Sequence, residues 1–136
     1  MSNILYLKGF KDNKYLQQII NLESQLFTSS FKQIYRIDPN IEYYVYLIDN
    51  KVIGYLAYKD VDLSYDIIQI GVDKNYQHQG IATKLMQKIM DHCISLEVSC
   101  NNTKAIKLYE KLGFSKECDL PNYYQGVDGI RMLYQP

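Results

Sequence analysis

The order in which two hydrophobic periods occur constrains this chain more than any other feature. Three strand-like runs, Glu42–Ile48, Val52–Lys59 and Leu63–Val72, follow one another with only short polar turns between them. Strands joined so closely pair antiparallel, because a parallel return needs a crossover of about a dozen residues. Beyond Val72 the pattern alternates: a helix over Gly80–His92, a strand at Ile94–Ser99, a helix over Asn102–Leu112, then strands near Phe114–Cys118 and Gly129–Tyr134. An antiparallel run followed by alternation implies an α/β fold, with a mixed sheet and helices on both faces.

The remaining segments fill in this outline. Asn3–Leu7 reads as a first strand, and Leu16, Ile19, Ile20, Glu23 and Phe27 recur at helical spacing. Ser29–Arg36 reads as a further short helix, closed by the break at Asp38-Pro39-Asn40. Asp49-Asn50-Lys51 is a hairpin signal. Gly71, near the end of an isoleucine-rich run, is expected to mark a bulge or a close approach by another backbone. The Gly80–His92 helix sets Ala82, Leu85, Met86, Ile89 and Met90 against Lys84, Gln87, Lys88 and Asp91. The Asn102–Leu112 helix carries Ala105, Leu108, Tyr109 and Leu112 on its apolar face and ends at Gly113, a left-handed cap position.

Composition removes several function classes. A length of 136 residues fits one domain, 1–136, and 47% hydrophobic residues suffice for a core. Fifteen basic side chains balance 15 acidic ones, so no long-range attraction to nucleic acid or anionic lipid is expected. No apolar stretch approaches the ~20 residues of a membrane span, and the N-terminus does not resemble a signal peptide. A cytoplasmic protein, monomeric or weakly dimeric, is the expectation. Cys93, Cys100 and Cys118 form no Cys-x-x-Cys pair, so neither a disulfide framework nor a metal site is expected. Cys100 reads as a small buried hydrophobe rather than a nucleophile.

Two segments carry chemistry. Gln77-His78-Gln79-Gly80-Ile81-Ala82 lies between a strand and an amphipathic helix. A helix start leaves about four amides unpaired and bears partial positive charge, and small residues at 80 and 82 let a phosphate reach those amides. On its own, Gly80 could equally just begin a helix, and His78 could simply be solvated. In the second segment, Glu97 lies near the end of a strand between Leu96 and Val98, where desolvation raises a carboxyl pKa toward that of a useful base. An edge-strand charge is the plainer alternative. Tyr109 is either a core ring or a phenol with a chemical role. Asn102 is placed to cap the helix that follows it.

The combination Gln77-x-x-Gly80-x-Ala82, strand glutamate Glu97, and Asn102 through Leu108-Tyr109-x-x-Leu112-Gly113-Phe114 resembles the GNAT acetyltransferase superfamily. Leu96-Glu97-Val98 through Phe114, with Asn122-Tyr123-Tyr124, is most similar to the bacterial ribosomal-protein alanine N-acetyltransferases (RimI type). The resemblance implies the GNAT fold, about seven mostly antiparallel strands with about four helices. It also implies acetyl-CoA as cosubstrate, with its pyrophosphate on the amides of His78, Gln79, Gly80, Ile81, Ala82 and Thr83. Pantetheine would lie along Ile70-Gly71-Val72, and Asn102 would contact the cofactor. Glu97 is implied as base, Tyr109 as acid, and Tyr123 and Tyr124 as acceptor-binding residues. The implied acceptor is a protein N-terminus, such as that of a small-subunit ribosomal protein.

Three departures accompany the resemblance. The segment from Leu85 to Leu96 is about two helical turns short, Ser99-Cys100 replaces the usual residues after the glutamate strand, and Val127-Asp128 keeps one carboxylate where a pair is usual. Other readings are a GNAT acting on a small amine or lysine, a non-catalytic acetyl-CoA-binding regulator, and a tyrosine-rich interaction module.

Overall fold

The computed structural model describes residues 1–8, 14–27 and 38–136, so the helix expected at Ser29–Arg36 lies outside the described residues. Two tight hairpins organise the first half of the sheet. Asp49 and Asn50 both take positive φ, 49° and 69°, and join β2 (Ile41–Ile48) to β3 (Lys51–Val61). Lys51 already pairs with Ile48, so the turn is two residues rather than three. Asp62 and Leu63, at φ 53° and 70°, turn β3 into β4 (Ser64–Val72) in the same way. β1 (Ser2–Lys8) pairs along β2. With β5 (Ile94–Ser99), β6 (Ser115–Leu120) and β7 (Gly129–Tyr134), the sheet has the order β1-β2-β3-β4-β5-β7-β6. Every neighbouring pair is antiparallel except β4 and β5.

Three α-helices occur among the described residues, against about four expected: α1 (Lys14–Leu26), α2 (Ile81–Gln87) and α3 (Thr103–Lys111). On one face, Ile19 and Leu22 of α1 pack with Tyr43, Val45, Tyr55 and Ala57. On the other, Ile81, Leu85 and Met86 of α2 and Tyr109 of α3 pack with Ile53, Leu56, Leu96 and Val98. β3 is therefore buried from both sides, and Val52 through Tyr58 form an unbroken buried run.

Bulges rephase this alternation. Ala57 pairs with Gln69 but Tyr58 with Ile67, leaving Ile68 as an extra residue in β4. Because of it, both Ile67 and Ile70 pack toward the α2 side, and Gly71 turns toward α1. The bulge expected at Gly71 thus lies three residues earlier. A bulge of this kind needs no positive φ and leaves no glycine signature. Gly71 pairs regularly with Tyr55 and is needed for another reason. A Cβ there would stand 2.9 Å from Leu26 Cδ1 and 3.0 Å from Tyr55 Cε1, so the close neighbours are side chains rather than another backbone.

The helix expected over Gly80–His92 also needs correction, since α2 stops at Gln87. Lys88, Ile89 and His92 donate to carbonyls three residues back, tightening the chain into turns. The return is forced by the sheet, because Ile94 must start level with Tyr65, whose amide bonds Cys93 O at 2.8 Å. Met86 and Ile89 remain buried there, so the apolar pattern is satisfied without a long helix. α3 ends as expected. The amides of Gly113 (φ 101°) and Phe114 bond the carbonyls of Glu110 and Tyr109, and the rings of Phe114 and Tyr109 meet at 5.6 Å. All three cysteines are exposed, so Cys100 is not the buried hydrophobe expected. It lies just past β5, where its amide bonds Asp128 O and its side chain faces outward.

Gly71→Ala is expected to cost about 1–3 kcal/mol of stability, because Tyr55 is fully buried and only Leu26 has room to yield. Chemical denaturation measures this, and an unchanged midpoint would show that α1 can retreat freely.

Candidate active site

β4 and β5 pair only at Tyr65–Ile94 and Asp66–Ser95. The extra residue Ile68 follows at once, and a bulge adds twist that bends β4 away while β5 stays paired to β7 over its whole length. The two strands part, and their inner edges present backbone N–H and C=O groups that no neighbouring strand takes up. The gap is a cleft of about 750 Å³, within the range of small-molecule sites. Ile70-Gly71-Val72 form one lip, Leu96-Glu97-Val98 the other, and α2 and α3 close the end.

The loop before α2 is shaped for an anion. His78 and Gly80 both lie in the left-handed region, at φ 65° and 78°. Gly80 supplies no side-chain cap to α2, so the first-turn amides point outward unsatisfied, and a Cβ at Gly80 would meet nothing within 4 Å. Gln77 Nε2 anchors the loop to Val72 O at 3.0 Å. Lys104 Nζ donates to His78 Nε2 at 3.3 Å, linking the loop to α3 across the cleft, which requires the neutral imidazole. Lys104, Lys107 and Lys111, spaced along one side of α3, all line the cleft. Sequence reasoning passed over this stripe by attending to the apolar face, although the i, i+3, i+7 spacing is legible. Cations and open amides on two sides suit the phosphates of a CoA thioester, and the strand-like lips suit its amide-bearing arm.

Glu97 stands on β5 with its side chain 21% exposed, buried enough to be desolvated yet still in contact with water. Burial raises its pKa above the ordinary carboxylate value, Asp66 adds to the rise, and Arg131 opposes it. Arg131 is its cross-strand partner on β7 and bonds it through Nη1. Asp66 accepts from Ser95 Oγ at 2.9 Å. Neither Arg131 nor Asp66 carried a sequence signal, since both depend on strand register. Tyr109 reaches the cleft from α3, and burial pushes its phenol up to about 12. Asn102 caps α3, its Oδ1 accepting from Ala105 N at 3.3 Å, and also lines the cleft.

Of the expected site residues, Ile70, Gly71, Val72, His78, Gly80, Ile81, Ala82, Thr83, Glu97, Asn102, Tyr109 and Tyr124 line this single cleft. Gln79 and Tyr123 do not. Tyr123 lies beside it, its ring 4.9 Å from that of Tyr124, with its phenol pKa raised by burial and by the charges of Glu97 and Asp66. Both tyrosines fold over Gly129, where a Cβ would come within 2.9 Å of Tyr124.

Residues 11–114 match the acetyltransferase (GNAT) family. The chain belongs to that family. It is a GNAT acetyltransferase. Similar proteins include the N-alpha-acetyltransferase of Saccharolobus solfataricus, 26% identical over 89% of this chain and 87% of that protein. The ribosomal protein bS18-alanine N-acetyltransferase of Escherichia coli is 37% identical over 46% of this chain, a match spanning about half of that enzyme (47%). The crystal structure of the S18-alanine N-acetyltransferase from Escherichia coli superposes with a TM-score of 0.83 at 24% identity, covering 98% of this chain and 92% of that one, and thereby shares its fold. In this acetyltransferase the parted strands and the uncapped start of α2 are the places that fit the donor.

Gly80→Val tests that fit. The space around Gly80 is open and the fold is expected to survive, but a branched side chain is strained at φ 78° and would stand over the amides. Acetyl-CoA affinity is expected to fall at least tenfold, about 1.4 kcal/mol, by calorimetry. Undiminished affinity in a folded variant would remove the pyrophosphate site from this loop.

Proposed function

We propose that the chain acetylates the N-terminal α-amine of a protein by direct attack, with Glu97 as base and Tyr109 as acid. The observation that carries this is the convergence of a half-buried carboxylate with a raised pKa and a buried phenol on one cleft between parted strands. Two relatives named for N-terminal or alanine acetylation support the acceptor class, and the N-terminus of a small-subunit ribosomal protein is the finer reading. Chemistry favours an α-amine too. Its pKa near ~8 leaves roughly 10²-fold more free base at neutral pH than a lysine near ~10.4.

The donor supplies an acetyl group activated as a thioester. Amides from His78 to Thr83 and the lysines of α3 would hold its phosphates, and the Ile70–Val72 edge its pantetheine. A free amide of that edge would donate to the carbonyl oxygen as negative charge develops there. Glu97 accepts the proton of the acceptor ammonium, directly or through water, which its partial exposure admits. Tyr109 donates toward the departing sulfur. A phenol near 12 is a weaker acid than a thiol near ~8.5. Burial in the same cleft raises the thiol as well and narrows that gap. Tyr123 and Tyr124, near Glu97, would contact the acceptor.

The pH profile follows from these signs. A base with a raised pKa gives kcat/KM an acid limb above the ordinary carboxylate range, whereas Tyr109 stays protonated and adds no alkaline fall below about pH 10. Glu97→Gln is expected to lose ~10²–10⁴ in rate with acetyl-CoA affinity kept, and raising the pH should partly restore it. Tyr109→Phe keeps the packed ring and should turn over ~10²-fold more slowly, with a defect that shrinks at alkaline pH. The direct test is incubation with acetyl-CoA and peptides beginning with Ala, Ser or Met, beside α-blocked lysine peptides. Mass spectrometry then locates the acetylated atom. Label on lysine alone, or wild-type turnover by both variants, would overturn this function.

A further inference from the structure

Arg131 is held from two sides, which is unusual for a residue near a sheet edge. On β7 it pairs in register with Glu97, so both side chains rise from the same face at adjacent strands. Its Nη1 bonds Glu97 Oε2, while its Nε lies 3.2 Å from Glu117 Oε1 on β6. Glu117 reaches it because β6 carries an extra residue there. Lys116 pairs with Met132 and Cys118 with Arg131, leaving Glu117 unmatched between them. A bulge re-aims a side chain, and this one supplies the second carboxylate that a planar guanidinium can engage at the same time as the first.

From this geometry we infer that Arg131 and Glu117 are positioning residues that hold the Glu97 carboxylate oriented and ionised at the lip of the cleft. The inference rests on Glu97 being the base. Arg131 does not line the cleft, so its hydrogen-bonded route to the cleft is through Glu97. Among the described residues, the titratable and charged groups facing Glu97 are Asp66 on β4, Arg131 on β7, and Tyr123 and Tyr124 in the β6–β7 loop. Glu117 stands behind Arg131 on β6. Arg131 is the sole cation in that group. Burial and Asp66 push the carboxyl toward protonation, and Arg131 counters them. Glu117 acts differently, drawing on the guanidinium from the far side and fixing its plane. A lone cross-strand ion pair could satisfy Glu97 for stability alone, but it would not need a bulged edge residue to brace it.

The sign of the effect follows. An adjacent opposite charge lowers a carboxyl pKa by ~1–3 units, so removing it moves the acid limb of kcat/KM upward. Arg131→Met is expected to shift that limb by about one pH unit or more and to lower kcat at least tenfold at neutral pH, with KM for acetyl-CoA unchanged. Arg131→Lys should return the limb toward its wild-type position, because the charge is restored. It should not restore kcat, because a rotatable ammonium on a flexible stem lacks the rigid fork that contacts Glu97 and Glu117 through two separate nitrogens. Glu117→Gln should reduce kcat several-fold without moving the limb upward. If Arg131→Met fails to fold, the lysine and Glu117 variants decide the matter by the same profile. An acid limb that stays in place in folded Arg131 variants, with only a lower melting temperature, overturns the inference and leaves a structural pair. Failure of the base reading looks different: Glu97→Gln itself then keeps a near wild-type rate.

Discussion

The short parallel contact between β4 and β5 is the constraint on which the rest of the molecule depends. Two residue pairs hold the strands together at Tyr65 and Asp66, and then Ile68 bends β4 away. Had the pairing continued, the sheet would be closed and its backbone groups satisfied, with no place for a thioester. Parting them leaves polar edges that cost free energy unless water or a ligand meets them. The rest of the structure sustains that opening. β5 is braced by β7 along its whole length, β4 by β3, and Tyr109, Leu96 and Val98 fill the α2 side below the gap.

The opening also sets the electrostatics. Glu97 stands on the braced strand, where its apolar neighbours Leu96 and Val98 turn to the opposite face and pack in the core. Desolvation and the nearby Asp66 favour the protonated carboxyl, and Arg131 favours the anion. The outcome is a carboxyl pKa above the ordinary carboxylate value, a shift in the direction that strengthens Glu97 as a proton acceptor. On the far side of the cleft the sign reverses, with three lysines of α3 beside the uncapped amides of α2. Under the proposed function, donor phosphates and acceptor ammonium would thereby be drawn to different lips of one cleft.

Local features of the fold were legible in the sequence where the cause is local. Asn102 caps α3 and Gly113 ends it because both effects act within a turn of helix. Asp49 and Asn50 form the hairpin because they tolerate positive φ. Ile94–Ser99 is a strand with the bounds its apolar alternation marks. Gly80, Glu97 and Tyr109 were expected together through the motif they form, and the structure brings them to one cleft.

Other features were decided only when distant segments met. α2 stops at Gln87 although its apolar period runs on, because the chain must turn back to place Ile94 beside Tyr65. The bulge falls at Ile68, a residue with no unusual backbone preference, and Gly71 is glycine because Leu26 and Tyr55 leave no room for a Cβ. Arg131 meets Glu97 across 34 residues of chain, and Glu117 joins them through a slip in register on the edge strand. Propensity, capping and periodicity are properties of neighbouring residues, so the sequence alone determines the elements and their order. Register, helix length and charge pairing are properties of strands docked side by side, so the tertiary structure decides where the sheet opens and which arginine faces Glu97.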